Sequence, residues 1–279
     1  MHMPFLTFGA QGEQLHFAHA NGYPPGAYRP LLQALGERYR VYAMDGRPLW
    51  PQASHAVLTD WRPLASDLIR FLEDHMSPPV VGIGHSVGAN ATLRAAIYRP
   101  DLFRALVLID PVLFSPLASV WWNLIYYSGL ARQIHPLAQG ARRRRRVFDS
   151  KQAMFENYRR KRVFRRMDDQ ALWAYVDAMS TPVPNGNQVV LRYSPEWEER
   201  IYITGLRADL EIWRALPKLK LPMLILRGEH TDTFLSGTAK RFQRKAPHTR
   251  IVTLPDCTHL LPLERPDEIA RQVQEFLDP

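Results

Sequence analysis

Pro79-Val80-Val81-Gly82-Ile83-Gly84-His85-Ser86-Val87-Gly88-Ala89-Asn90-Ala91-Thr92-Leu93 is the stretch on which the reading of this chain turns. Its first five residues are apolar and β-branched, the pattern of a buried parallel strand. From Ala89 to Ala96 the residues are small and helix-tolerant. Between the two lies Gly84-His85-Ser86-Val87-Gly88, and a serine so flanked at a strand-to-helix turn is a nucleophile elbow. The turn is too sharp for bulk two residues either side of the serine, so glycine stands there. The helix that follows aims its free N–H groups and positive dipole end at negative charge developing beside the serine oxygen. Ser86 is the candidate nucleophile.

A serine hydroxyl needs a base, and the base needs a group to orient it. In a sheet of this kind the order along the chain is Ser, acid, His. His259 fits the last place. It follows the strand-like run Arg250–Leu254 and a short loop, and precedes a helical pattern from Pro266 to Leu277. Ligands and catalytic groups gather at the carboxyl ends of strands in open α/β sheets. For the acid, Met223–Gly228 reads as the preceding buried strand, and Asp232 in the loop after it is the first choice. Glu229, nearer that strand, and Asp110, which closes the strand Ala105–Ile109, are the rivals. An oxyanion also needs preorganised donors. Val87, next to the nucleophile, supplies one backbone N–H. The loop His19-Ala20-Asn21-Gly22, after the early strand Leu15–Ala18, supplies the other from Asn21 or Gly22, with Asn21 chosen.

These motifs, in this order, resemble the α/β-hydrolase superfamily over nearly the whole chain, and within it the capped serine esterases and lipase-like enzymes. The resemblance implies a Ser86–Asp232–His259 triad and an Asn21/Val87 oxyanion hole. Two departures are visible. The oxyanion loop reads His19-Ala20-Asn21-Gly22 where relatives commonly have His-Gly-x, and Asp232 lies four residues after Gly228 where the acid often lies three after. A serine at position 86 argues against the relatives that use a carboxylate nucleophile.

The coarse order alternates strand and helix, which predicts an α/β fold with a mostly parallel central sheet flanked by helices. Leu15–Ala18 and Val41–Asp45 read as strands, Tyr28–Arg38 as a helix, and a second helix runs from Thr59 to about Glu73. The alternation stops at Pro111, no buried strand is evident to about Pro217, and the rhythm resumes near Met223. The expected organisation is a core of residues 1–110 and 217–279 with a helical, Arg-rich cap of residues 111–216, inserted after the strand ending near Asp110.

Composition suits a single enzyme. The 279 residues are 46% hydrophobic and 23% charged, which excludes disordered and fibrous classes. A lone Cys257 excludes a disulfide framework and thiolate zinc sites, and no metal is expected. No nucleotide-binding glycine loop is present, so no cofactor is expected. With no signal-peptide pattern at Met1-His2-Met3-Pro4, a cytoplasmic location is expected.

Charge is concentrated in the insertion. Leu130 to Arg166 holds thirteen Lys or Arg against Asp149 and Glu156, in a chain of net charge +9. The densest part is Arg142–Arg146. A solvated helical face is the simplest account of it; peripheral contact with anionic lipid is the next, at about 1 kcal/mol per basic residue near such a surface. Nucleic-acid binding is not expected, because no binding motif accompanies the charge. Just before it, Pro111–Ala131 carries no charge and includes Phe114, Trp121, Trp122 and Tyr127. Prolines, serines, Asn123 and Gly129 dilute it, so it reads as an apolar underside of the cap over Ser86, favouring a substrate with a hydrophobic acyl or alcohol part. The reaction expected is hydrolysis of a small-molecule carboxylic ester. C–C bond hydrolase, lactonase, perhydrolase or lyase chemistry on the same scaffold is the alternative, and a binding protein using the basic cap a further one. The sequence leaves oligomeric state open.

Overall fold

The computed structural model describes residues 3–278. Seven strands form one sheet: β1 (Phe5–Phe8), β2 (Gln14–Ala18), β3 (Arg40–Met44), β4 (Val80–His85), β5 (Phe103–Ile109), β9 (Met223–Gly228) and β10 (Arg250–Leu254), in the order β1-β3-β2-β4-β5-β9-β10. All neighbours are parallel except β1, which pairs antiparallel with β3. Every residue of β4 is buried, as a strand with helices on both sheet faces requires. The N-terminal strand β1 has no counterpart in the sequence reading. It is a four-residue edge strand with no buried residue, so it carries no apolar periodicity.

Helices α1 (Arg29–Gly36), α2 (Arg62–His75) and α3 (Val87–Tyr98) connect the first strands. Their spacing explains their seats: α2 buries Ala65, Leu68, Phe71 and Leu72, one stripe of a 3.6-residue period. Between β5 and β9 lie α4 (Pro116–Tyr127), α5 (Ala131–Ile134), α6 (Pro136–Arg142), α7 (Lys151–Arg159), α8 (Asp169–Met179), α9 (Pro195–Thr204) and α10 (Asp209–Ala215). After β9 come α11 (Ser236–Lys245), α12 (Leu261–Glu264) and α13 (Pro266–Leu277). Four helices of the insertion start at polar caps: Ser115, Ser150, Asp168 and Ser194 each accept the N–H three residues on.

The insertion is not purely helical. It also holds a small antiparallel sheet of β6 (Val147–Phe148), β7 (Ser180–Pro182) and β8 (Val189–Leu191), in the order β6-β8-β7. Strands of two or three residues are too short to show a period, which is why the sequence reading has none there. The insertion also shares a core with the sheet. Phe148, Met154, Tyr158, Leu172 and Tyr175 belong to one hydrophobic cluster with Leu15, Phe17, Leu31 and Val81. A second tie is polar. Asp209 of α10 accepts from Arg94 (3.0 Å) and Asn90 (3.1 Å) of α3, with Arg94 and Asp209 fully buried. Among the described residues no helix is long and apolar enough to cross a membrane.

Candidate active site

The elbow is built as its sequence dictates. β4 ends at His85, α3 begins at Val87, and Ser86 between them has φ 59° and ψ −121°, a left-handed conformation costly for a residue with a side chain. The glycines are required by space. A Cβ on Gly84 would lie 2.5 Å from the Gly88 carbonyl oxygen, and one on Gly88 would lie 2.3 Å from that of Ala18. The ladder continues one step past the strands: the Ser86 N–H donates to Ile109 (3.0 Å) and the Asp110 N–H to Leu226 (2.7 Å). Ser86 and Asp110 thus stand at the carboxyl ends of neighbouring strands. Asp110 is also left-handed, with φ 40°.

His259 comes to them from the loop after β10, which the Glu229 and His230 N–H groups hold by donating to Leu254 (3.0 Å) and Cys257 (2.9 Å). Its Nε2 lies 2.9 Å from Ser86 Oγ and its Nδ1 lies 2.7 Å from Asp110 Oδ2. With the proton on Nδ1, the ring donates to the carboxylate and its Nε2 lone pair accepts from the serine hydroxyl.

The carboxylate against His259 is therefore that of Asp110, and the expectation for Asp232 is corrected. Asp110 is fully buried and accepts from Thr231 Oγ1, from Thr233 Oγ1 (2.9 Å) and from the Gly228 N–H (3.4 Å). The loop after β9 presents its two threonines to Asp110, so Asp232 between them points out into solvent at the edge of the cavity. The position three after Gly228, where the family resemblance looks for an acid, is Thr231. Glu229 is exposed and accepts the Asp256 N–H (3.0 Å), away from the ring.

Two residues the sequence reading passed over tie the parts together. The Ala20 N–H donates to the Tyr28 hydroxyl (3.1 Å), the Tyr28 O–H donates to His85 Nδ1 (2.7 Å), and His85 Nε2–H donates to the His259 carbonyl (2.8 Å). The chain of bonds needs a neutral imidazole. Burial, with His259 beside it, holds the His85 pKa well below its ordinary value. His85 sits inside the elbow motif, so a signal was present, but its partner Tyr28 is set by tertiary packing. His19 works similarly: Nδ1–H donates to the Ala20 carbonyl (2.8 Å), Nε2 accepts the Gly46 N–H (2.9 Å), and burial lowers its pKa to about 4.

Asn21 and Val87 line the same cavity as Ser86 and His259. Val87 opens α3, so its N–H has no partner within the helix. The Asn21 side chain is fixed to the insertion: Nδ2 donates to the Glu198 carbonyl (2.9 Å) and Oδ1 accepts from the Tyr193 hydroxyl (2.8 Å).

The cavity has a volume of about 840 Å³, in the range of sites for drug-sized ligands. Trp61, Val112, Phe114, Ile201 and Leu206 give it apolar walls, and Arg162, Arg165 and Arg166 line it as well. The uncharged segment Pro111–Ala131 divides here. Val112 and Phe114 face the cavity, whereas α4 turns Leu117, Val120, Trp121, Leu124 and Tyr127 to solvent. The segment is an underside only at its start.

A model described as the alpha/beta hydrolase family matches residues 17–272. The uncharacterized hydrolase YugF of Bacillus subtilis is 24% identical over 98% of this chain and 98% of its own. A 2-(acetamidomethylene)succinate hydrolase of Mesorhizobium japonicum is 22% identical over 96% of this chain and 88% of its own. Among solved structures, that of E-2-(acetamidomethylene)succinate hydrolase has the same fold, with a TM-score of 0.76 at 20% identity and all of both chains covered.

Proposed function

Because the chain belongs to the alpha/beta hydrolase family, we propose that it is a serine hydrolase cleaving a carboxylic ester, with Ser86 as nucleophile, His259 as general base and Asp110 as the group orienting the imidazole. His259 Nε2 takes the Ser86 proton as Oγ forms a bond to the acyl carbon. The Val87 and Asn21 N–H groups receive the oxyanion. The C–O bond then breaks, the alcohol leaves with the proton from Nε2, and the acyl group stays on Ser86. Water, deprotonated by the same nitrogen, adds to the acyl carbon and releases the acid. Asp110 stabilises the imidazolium at each proton transfer without itself taking a proton. Residues 111–216 act as a cap whose apolar residues Phe114, Ile201 and Leu206 favour a hydrophobic acyl or alcohol part.

The observation that carries this reading is the pair of contacts at one ring: 2.9 Å from His259 Nε2 to Ser86 Oγ and 2.7 Å from Nδ1 to Asp110. It is supported by the strained φ of the serine, which such an elbow needs. A panel of p-nitrophenyl esters of graded chain length tests it. The expected result is a burst of acyl-enzyme that Ser86→Ala abolishes. Turnover surviving in Ser86→Ala, or no turnover of any ester by the wild type, overturns it.

A further inference from the structure

We propose that Arg162, Arg165 and Arg166 form an anion-binding subsite in the wall of the Ser86 cavity, which receives a phosphate or carboxylate carried by the substrate away from the bond being cleaved. The inference rests on the acyl-hydrolase reading of Ser86 and adds the substrate class to it.

Between Leu130 and Arg166, six of the eleven arginines already contact a carboxylate. Arg132 and Arg142 contact Glu199 (2.8 and 3.6 Å), Arg144 contacts Glu198, Arg145 contacts Asp149 (3.2 Å), Arg146 contacts Glu196 (2.5 Å) and Arg159 contacts Asp169 (2.6 Å). Of the five arginines that contact none, Arg162, Arg165 and Arg166 line the cavity, whereas Arg143 and Arg160 do not. None has a carboxylate within salt-bridge distance among the described residues, and Arg162 and Arg165 have no side-chain hydrogen bond among them. Arg166 donates to the Asp256 carbonyl oxygen, which holds the side chain without cancelling its charge. All three are exposed residues, so an anion at the cavity wall can take charge-assisted hydrogen bonds from them without displacing a partner carboxylate.

The cavity's own acids do not serve that purpose. Glu264 accepts from Thr258 through both oxygens, from the N–H (2.8 Å) and from Oγ1 (2.5 Å). Asp232 lines the cavity with no arginine at salt-bridge distance. With Trp61, Phe114 and Leu206 on the same lining, the ligand that fits is amphipathic: an apolar portion that packs inside and an anionic group set against the arginines.

The test compares matched substrates in two arms. In one, the anion is on the acyl side: the p-nitrophenyl ester of suberic acid with its far carboxyl free, against the same compound with that carboxyl methylated. In the other it is on the leaving group: an octanoyl ester of a phosphorylated alcohol against the unphosphorylated alcohol. The expected result is a preference for the anionic member of at least one pair, about tenfold or more in kcat/KM at low salt. That ratio falls as ionic strength rises, falls to about one in Arg162→Ala/Arg165→Ala/Arg166→Ala, and is partly kept in the triple Lys variant. Wild-type ratios near one in both arms overturn the subsite, as does a preference that the triple Ala variant keeps. Binding of octyl phosphate to Ser86→Ala by calorimetry reads the subsite without turnover. Binding there with no ester hydrolysis by the wild type refutes the hydrolase reading alone, and hydrolysis without binding refutes the subsite alone.

Discussion

Ser86, His259 and Asp110 share one line of hydrogen bonds, so removing a partner at either end of the imidazole has separable effects. Asp110→Asn keeps the volume but offers an amide where Nδ1–H needs an acceptor, which disfavours the tautomer whose Nε2 accepts from serine. The expected loss is about 10³- to 10⁴-fold in kcat with little change in KM. Asp232→Asn leaves kcat on a neutral ester within a few-fold, because position 232 lies in solvent between two threonines that face Asp110. Steady-state kinetics of the two variants side by side decides the assignment, and a larger loss in Asp232→Asn would reverse it. Tyr28→Phe removes the acceptor of the Ala20 N–H and the donor to His85, both buried. It should lower unfolding free energy by about 1–3 kcal/mol in urea titration. The meeting of Ser86 with His259 was legible because a glycine-flanked serine and a histidine after the last strand are local patterns. The acid was not. Three carboxylates stand at strand ends, and which one meets the ring depends on the alternation of Thr231, Asp232 and Thr233 in a loop, which no local pattern encodes.

At the level of elements, the five-arginine run shows how far a one-dimensional charge count can mislead. Arg142–Arg146 reads as a free basic surface because only Asp149 stands near it in sequence, and its other acids lie some fifty residues later, at Glu196, Glu198 and Glu199 on α9. Folding brings α9 against α6 and the segment that follows it, and of the run only Arg143 is without a carboxylate partner among the described residues. The Arg144–Glu198 pair is the most enclosed, with side chains 11% and 12% exposed and the Tyr158 and Tyr175 hydroxyls on the guanidinium. The Glu198 backbone carbonyl also holds Asn21 of the His19–Gly22 loop, so the pair sits behind that loop. Arg144→Met leaves the Glu198 carboxylate nearly buried without its counter-charge and should cost about 3–5 kcal/mol of stability. In Arg144→Met/Glu198→Gln most of that loss should be recovered, since no uncompensated charge remains. Chemical denaturation of the single and double variants measures the coupling. Equal stabilities for both would show that the charges are independent. Activity should track the same order, because the loop carrying Asn21 loses its backing in the single variant.

Across the whole molecule, the strand–helix alternation was readable because buried parallel strands such as Val80–His85 and Met223–Gly228 are nearly continuous apolar runs. What escaped were elements with no such run, the exposed edge β1 and the short strands inside the insertion. The same deep burial of strands contributes to the protein's response to acid. His16 of β2 is fully buried with neither ring nitrogen hydrogen-bonded among the described residues, and its ring packs on Phe71 with centroids 5.5 Å apart. Burial lowers its pKa from 6.5 to about 3. Above pH 6.5 the folded and unfolded chains both hold it neutral, and it has no effect on the pH dependence. Between pH 6.5 and about 3 the unfolded chain binds a proton there and the folded chain does not. Stability therefore falls with falling pH, by about 1.4 kcal/mol per pH unit from this residue once the unfolded form is protonated. His19, lowered to about 4, acts in the same direction over a narrower window. Replacing His16 by Leu removes one such proton and two unsatisfied polar atoms. The variant should match or exceed the wild type in unfolding free energy at pH 7, and its advantage should widen as pH drops from 6 to 4.5. Urea titrations at intervals across that range supply the measurement. Parallel curves for the two proteins would mean that the imidazole is protonated in the folded state after all, and that β2 is not closed to a proton at this position.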